Sequence, residues 1–122
     1  MHFASSREGK LLRIFIGDSD KWEGRPLYQA LVEAAREQGM AGASVLHGLM
    51  GFGAHSRMHT ASILRLSTDL PVIVEIVDLP ERIEAFLPTV DAMVKEGMVT
   101  IEAATVLLYR HGGEANNKQK SG

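Results

Sequence analysis

The segment Leu46-His47-Gly48-Leu49-Met50-Gly51-Phe52-Gly53-Ala54-His55-Ser56-Arg57-Met58-His59-Thr60 gathers three glycines, three histidines and an arginine. Glycines at this spacing let a backbone take positive φ and bring its N–H groups close to a ligand. Successive N–H groups in such a loop form a concavity that favours anions. Arg57 adds a planar, permanently charged fork of donors. The chemistry on offer is anion binding, with Gly51, Phe52, Gly53, His55, Arg57 and His59 as contacts and Arg65 just beyond them. Phe52 is placed to stack on a base, or to anchor its loop to the core. Glycines that only turn a hairpin would give the same letters, so the surrounding elements decide.

His55 and His59 are four residues apart, with His47 nearby. On a helix that spacing puts two imidazoles on one face, as a divalent metal requires. This segment does not read as a helix, and neither cysteine nor carboxylate completes a ligand set, so no metal and no cofactor is assigned. Asp18, Lys21 and Trp22 lie in the polar stretch Gly17 to Gly24, which on a functional reading forms the rim of a cleft. There Trp22 would cover a ligand or a neighbour; the alternative is that Asp and Ser simply turn the chain. No nucleophile elbow, Walker loop or metalloprotease pattern occurs. Ser56 adjoins histidines in sequence only, which does not make a triad. The chain reads as a binding protein and not an enzyme.

At 122 residues and 13.3 kDa the chain is one domain. A hydrophobic content of 45% permits a core, though a small one that oligomerisation would help. A net charge of −2 argues against nucleic-acid binding, which needs a basic face. Absent cysteines exclude disulfides, thiolate metal sites and a thiol nucleophile. No segment approaches the ~20 apolar residues that span a bilayer, and no signal pattern opens the chain. A cytoplasmic protein is expected.

Residues 1–9 are small and polar and read as a disordered leader; 10–111 form the domain; 112–122 read as a disordered tail. Leu11 to Ile16 predicts a strand with Leu12, Ile14 and Ile16 on one face and Leu11, Arg13 and Phe15 on the other. Pro26 opens a helix whose apolar face is Leu27, Tyr28, Leu31, Val32 and Ala35, stopped by Gly39. Strands are expected over Ala41 to Met50, Ala61 to Leu66 and Val72 to Val77. A second helix starts at Pro80, carries Ile83, Phe86, Leu87, Val90, Met93 and Val94, and bends at Pro88. Met98 to Tyr109 supplies the last strand, strongest from Thr105. The order β-α-β, β-α-β predicts an α+β, ferredoxin-like βαββαβ antiparallel sheet with both helices on one face. The other face is also largely apolar, and a monomer rarely exposes such a patch, so an oligomer is expected.

Gly17-Asp18-Ser19-Asp20-Lys21-Trp22, Gly24-Arg25-Pro26-Leu27-Tyr28, Gly39-Met40-Ala41-Gly42-Ala43, Gly48-Leu49-Met50-Gly51-Phe52-Gly53 and Leu70-Pro71-Val72 together resemble the family known as domain of unknown function 190, placed among the PII-like proteins. The resemblance covers about Leu11 to Arg110. It implies a PII-like homotrimer in which the loop between strands two and three stands as a regulatory T-loop. It also implies adenine nucleotides bound in clefts between subunits. Members are often encoded beside small fluoride channels, which implies regulation of a transporter or channel. PII proteins carry a glycine-rich phosphate loop before the last strand; here the position reads Lys95-Glu96-Gly97-Met98-Val99-Thr100, with a single glycine. Phosphates would then fall to Gly51, Gly53 and Arg57, with Arg65 or Arg110. The expectation is a signalling protein that binds a small anionic ligand and acts through residues 51–60. The alternatives are a metal-binding PII relative using His47, His55 or His59, and a ligand-free assembly module.

Overall fold

The computed structural model describes residues 6–51, the backbone of 59–60, and 69–110. Four strands form one antiparallel sheet: β1 (Arg7–Gly17), β4 (Ser44–His47), β7 (Pro71–Asp78) and β8 (Met98–Val106), in the spatial order β4-β7-β1-β8. Helix α1 (Leu27–Glu37) links β1 to β4, and α2 (Pro80–Met93) links β7 to β8. This is the α+β, split βαβ arrangement expected from the order of elements. Two short ribbons complete it, β2 (Lys21–Trp22) with β3 (Arg25–Pro26), and β5 (Met50–Gly51) with β6 (His59–Thr60).

Strict alternation in the central strands builds the core. Leu12 pairs with Ile76, Ile14 with Val74 and Ile16 with Val72, so all six side chains share the face that the helices cover. Onto them α1 lays Leu27, Ala30, Leu31 and Ala35, and α2 lays Ile83, Phe86, Val90 and Met93. These positions recur every three or four residues, as an amphipathic helix requires. Tyr28, Val32, Leu87 and Val94 are half-buried at the margins. Pro80 occupies the first turn of α2, where a missing N–H costs nothing. Pro88 sits inside α2 on its exposed side, and the helix runs through it as one element.

Several boundaries differ from the sequence reading. β1 starts at Arg7, because residues 7–9 pair with 104–106 of β8; the sequence placed them with the leader. β8 ends at Val106, so Leu107 to Tyr109 are not strand although their letters favour it. The expected strand over 41–50 is two short pieces, β4 and β5, interrupted at Gly48 and Leu49. The stretch Gly17 to Gly24, expected to be a loop, contains β2 and the turn that leads to β3. Its turn residues Glu23 and Gly24 have φ of 49° and 81°, a two-residue type I′ geometry whose twist suits a hairpin. The strand expected over 61–66 and the tail over 112–122 lie outside the described residues.

On the sheet face away from the helices, Leu11, Phe15, Ile73 and Val77 surround a charged centre. Arg13 Nε donates to Glu75 Oε2 at 2.8 Å and its Nη1 donates to Glu102. The Glu75 hydrogen bond, with Glu102 adding to it, raises the guanidinium pKa further above its already high value. At the far end of the sheet Asp78 is buried to 8% exposure. It accepts from Ala41 N at 2.9 Å and Leu79 N at 2.7 Å, and Arg82 stands 4.0 Å away. Asp78 thus ties the chain leaving α1 to the start of α2. Asp78→Ala is expected to cost about 2 kcal/mol, because buried N–H groups lose their acceptor; a urea midpoint within error of the parent would refute this.

Candidate functional site

The loop that follows β4 is held at its base by close packing. Gly48 N donates to Pro71 O at 2.7 Å, which joins the exit from β4 to the entry of β7. A Cβ at Gly48 would come within 2.6 Å of Pro71 Cγ, and one at Gly51 within 3.0 Å. Approach to the proline ring therefore excludes a side chain at Gly48 and leaves a tight fit at Gly51. β5 and β6 continue the base as a ribbon, Met50 opposite Thr60 and Gly51 opposite His59.

The turn after β1 meets this base. Asp18 N donates to Leu70 O at 2.8 Å and Ser19 N to Asp69 Oδ1 at 3.1 Å. Gly17 N donates to Asp20 Oδ2 at 3.0 Å. A Cβ at Gly17 would collide with the Asp69 carboxylate, so this glycine admits the contact. His47 Nε2 and Asp18 Oδ1 are 3.1 Å apart, and the edge of one ring meets the face of the other between Tyr28 and His47, with centroids 5.3 Å apart. Thus three separated stretches, 17–20, 47–51 and 69–71, are laced together at one end of the sheet.

Beside them lies an open cavity of about 310 Å³, lined by Asp20, Lys21, Leu27, Met93, Lys95 and Glu96. Leu27 and Met93 supply apolar floor, and Lys21 and Lys95 approach from the two connections that lead into α1 and out of α2. Neither lysine has an ion-pair partner among the described residues. Of the two carboxylates, Asp20 already accepts from Gly17 N. Two ammonium groups without an ion-pair partner among the described residues stand over an apolar floor beside two carboxylates, a lining that suits an anion with an organic body where the ammonium groups meet it.

The candidate residues divide accordingly. Asp18, Lys21 and Gly51 belong to this end of the sheet, Asp18 through His47 and Lys21 through the cavity. Trp22 is half-buried and packs against the chain's own core. His59 is placed by its backbone in β6. Phe52, Gly53, His55, Arg57 and Arg65 lie outside the described residues. Among the described residues no cluster of three metal-ligating side chains occurs. Lys95 also lines the cavity and is not among the site residues expected from the sequence. Its signal was its place just past the apolar stripe of α2 and before Gly97, where the chain turns back toward β1.

Among described residues no helix is long and apolar enough to cross a membrane. Solved structures with a similar fold include CPII from Thiomonas intermedia K12, a nitrogen regulatory PII-like protein bound to ADP, AMP and bicarbonate. The TM-score is 0.58 at 18% identity, over 85% of this chain and 92% of that one. The apo form of CPII is similar at a TM-score of 0.52 and 16% identity, over 84% and 95% of the two chains. At such identities the likeness concerns the fold, which is PII-like. Among curated proteins, a UPF0166 protein of Aquifex aeolicus is 37% identical over 98 residues, 80% of this chain and 92% of the relative. A UPF0166 protein of Methanocaldococcus jannaschii is 35% identical over 95 residues, 77% and 87% of the two chains. The family model for domain of unknown function 190, described as uncharacterized ACR, matches residues 9–106, and the chain belongs to that family.

Proposed function

We propose that this chain is a PII-like regulatory protein, not an enzyme, that acts in the cytoplasm as a homotrimer. It binds a small anionic ligand, an adenine nucleotide being the first candidate, in clefts between subunits. The observation that carries the reading is the convergence at one end of the sheet of the laced loop base with a cavity lined by two lysines that have no ion-pair partner among the described residues. CPII, which shares the fold, is bound to ADP and AMP, which favours a nucleotide over other anions. Arg57 and Arg65, with the backbone of Gly51 and Gly53, meet the phosphates, and His55, His59 and Phe52 complete the contacts. Asp18, Lys21 and Trp22 stand at the cleft rim. Ligand orders residues 51–60, and the ordered loop changes its fit to a partner, a membrane transporter or channel being the kind expected. Charge-assisted bonds from Arg57 offset the entropy lost on ordering.

The test is thermal unfolding of the full chain with ATP, ADP, AMP or inorganic phosphate. A nucleotide at a hundredfold excess over its Kd stabilises by about 2.7 kcal/mol. Arg57→Ala is expected to abolish the shift and Lys21→Ala/Lys95→Ala to reduce it. No shift with any nucleotide would refute the reading. Divalent metals are run separately, since His47 with Asp18 beside it at 3.1 Å is a histidine oriented by a carboxylate, an arrangement metal sites also use. Metal stabilisation lost in His55→Ala/His59→Ala would favour the metal-binding relative.

A further inference from the structure

The segment that follows β8 leaves one edge of the sheet and arrives at the other. Val106 pairs with Arg7 of β1, and shortly beyond it the Tyr109 hydroxyl donates to Ala41 O at 3.0 Å. Ala41 lies in the connection from α1 to β4, and β4 is the opposite edge strand. With four strands the two edges are three spacings apart, roughly 14 Å. The extended backbone from Val106 to Tyr109 reaches roughly 10 Å, and the length of the phenol side chain closes the gap. Residues 107–109 therefore cross the end of the sheet at which β7 finishes.

What they meet there is already gripped. Ala41 N donates to the buried Asp78 carboxylate at 2.9 Å, and Arg82 Nη1 donates to Gly39 O at 2.6 Å. Tyr109 takes up the carbonyl of the same Ala41. Both backbone groups of that residue are thus satisfied, one from the end of β7 and the other from beyond β8. Leu107, Leu108 and Tyr109 are all exposed, so the segment can lift away without opening the core.

β4 has few other ties. It is four residues long and, among the described residues, is paired on one side only, with β7. Gly48 N donates to Pro71 O. Alternation of the antiparallel ladder from that bond makes Leu46 and Ser44 the preceding donors. Residues 41–48 are therefore a short unit pinned at both ends, by Asp78 and Tyr109 where it starts and by Asp18 and Pro71 where it finishes. Lifting this unit off β7 breaks the Tyr109 bond, so that bond adds to the cost of exposing each amide within it.

We propose that residues 107–110 are a strap, anchored through Tyr109, that holds β4 against β7 and so sets how readily the foot of the 51–60 loop opens. The strap belongs to the scaffold and does not depend on which ligand the protein binds. Whatever engages residues 107–110 acts, through β4, on the loop at the other end of the sheet.

Tyr109→Phe keeps the ring and removes only the donor. Amide hydrogen exchange of the full chain is expected to run about fivefold faster at Ser44, Leu46 and Gly48. Leu27 N, which donates to Asp20 O outside the unit, is expected to keep the parent's rate. Tyr109→Ala, which removes the ring as well, is expected to speed the same three amides at least as much. Parental exchange at Ser44, Leu46 and Gly48 in both variants overturns the strap. Equal acceleration at Leu27 overturns it too, because the bond would then serve the fold as a whole and not β4.

Discussion

Phe86→Ala is expected to remove about 3–5 kcal/mol of stability, a large share of the roughly 5–15 kcal/mol that holds a domain of this size. Among the described residues Phe86 is the largest side chain with no exposed surface, and it lies on the inner face of α2 in one core cluster with Ile83, Val90, Leu12 and Ile76. Truncation removes the transfer energy of the ring and leaves a void, because two helices anchored by several other side chains cannot collapse into it. The check is a urea titration with unchanged slope and a lowered midpoint. A loss under about 1 kcal/mol would mean the core repacks freely, which would undermine the register-based account of how these layers fit.

Gly97→Ala comes second and acts through backbone. Gly97 makes the turn from α2 into β8 at φ 146°, a conformation nearly closed to residues with a Cβ. An added Cβ would also run into the Phe15 carbonyl oxygen, which belongs to the central strand and cannot swing aside. Strain plus collision is expected to cost about 3 kcal/mol or to shift β8 out of register with β1. Gly39→Ala is the matched control, with φ 75° but open space around it. It should lose only about 1 kcal/mol. Equal losses at the two positions would show that the collision contributes nothing.

What could be read from the letters was whatever one element decides alone. Alternation in β1 and β7 named Leu12, Ile14, Ile16, Val72, Val74 and Ile76 as one face, and the 3.6 period named the inner face of each helix. What needed a partner was misplaced. Thr105 to Tyr109 looked the stronger strand, but β1 begins at Arg7, so among the described residues β8 has no partner beyond Val106. Arms of two residues are too short to alternate, so β2 and β3 left only the Glu23-Gly24 turn as a signal. The candidate site was legible as glycine spacing, yet the reasons for Gly17, Gly48 and Gly51 lie in Asp69 and Pro71, distant in sequence. Lys95 carried only a positional signal, just past the apolar stripe of α2 and before Gly97. Only the fold sets it across a cavity from Lys21.

The clamp at the foot of the loop has an evolutionary corollary. Residues 48 and 71 are stitched directly to each other, and 17–19 to 69–70, so the scaffold closes on itself beneath whatever chain projects from it. Insertions, deletions and exchange between β5 and β6 are thereby uncoupled from the stability of the sheet. A lineage can exchange the intervening sequence without rebuilding its foundation, and a chimera that replaces 52–58 with a glycine-serine linker of equal length should melt close to the parent.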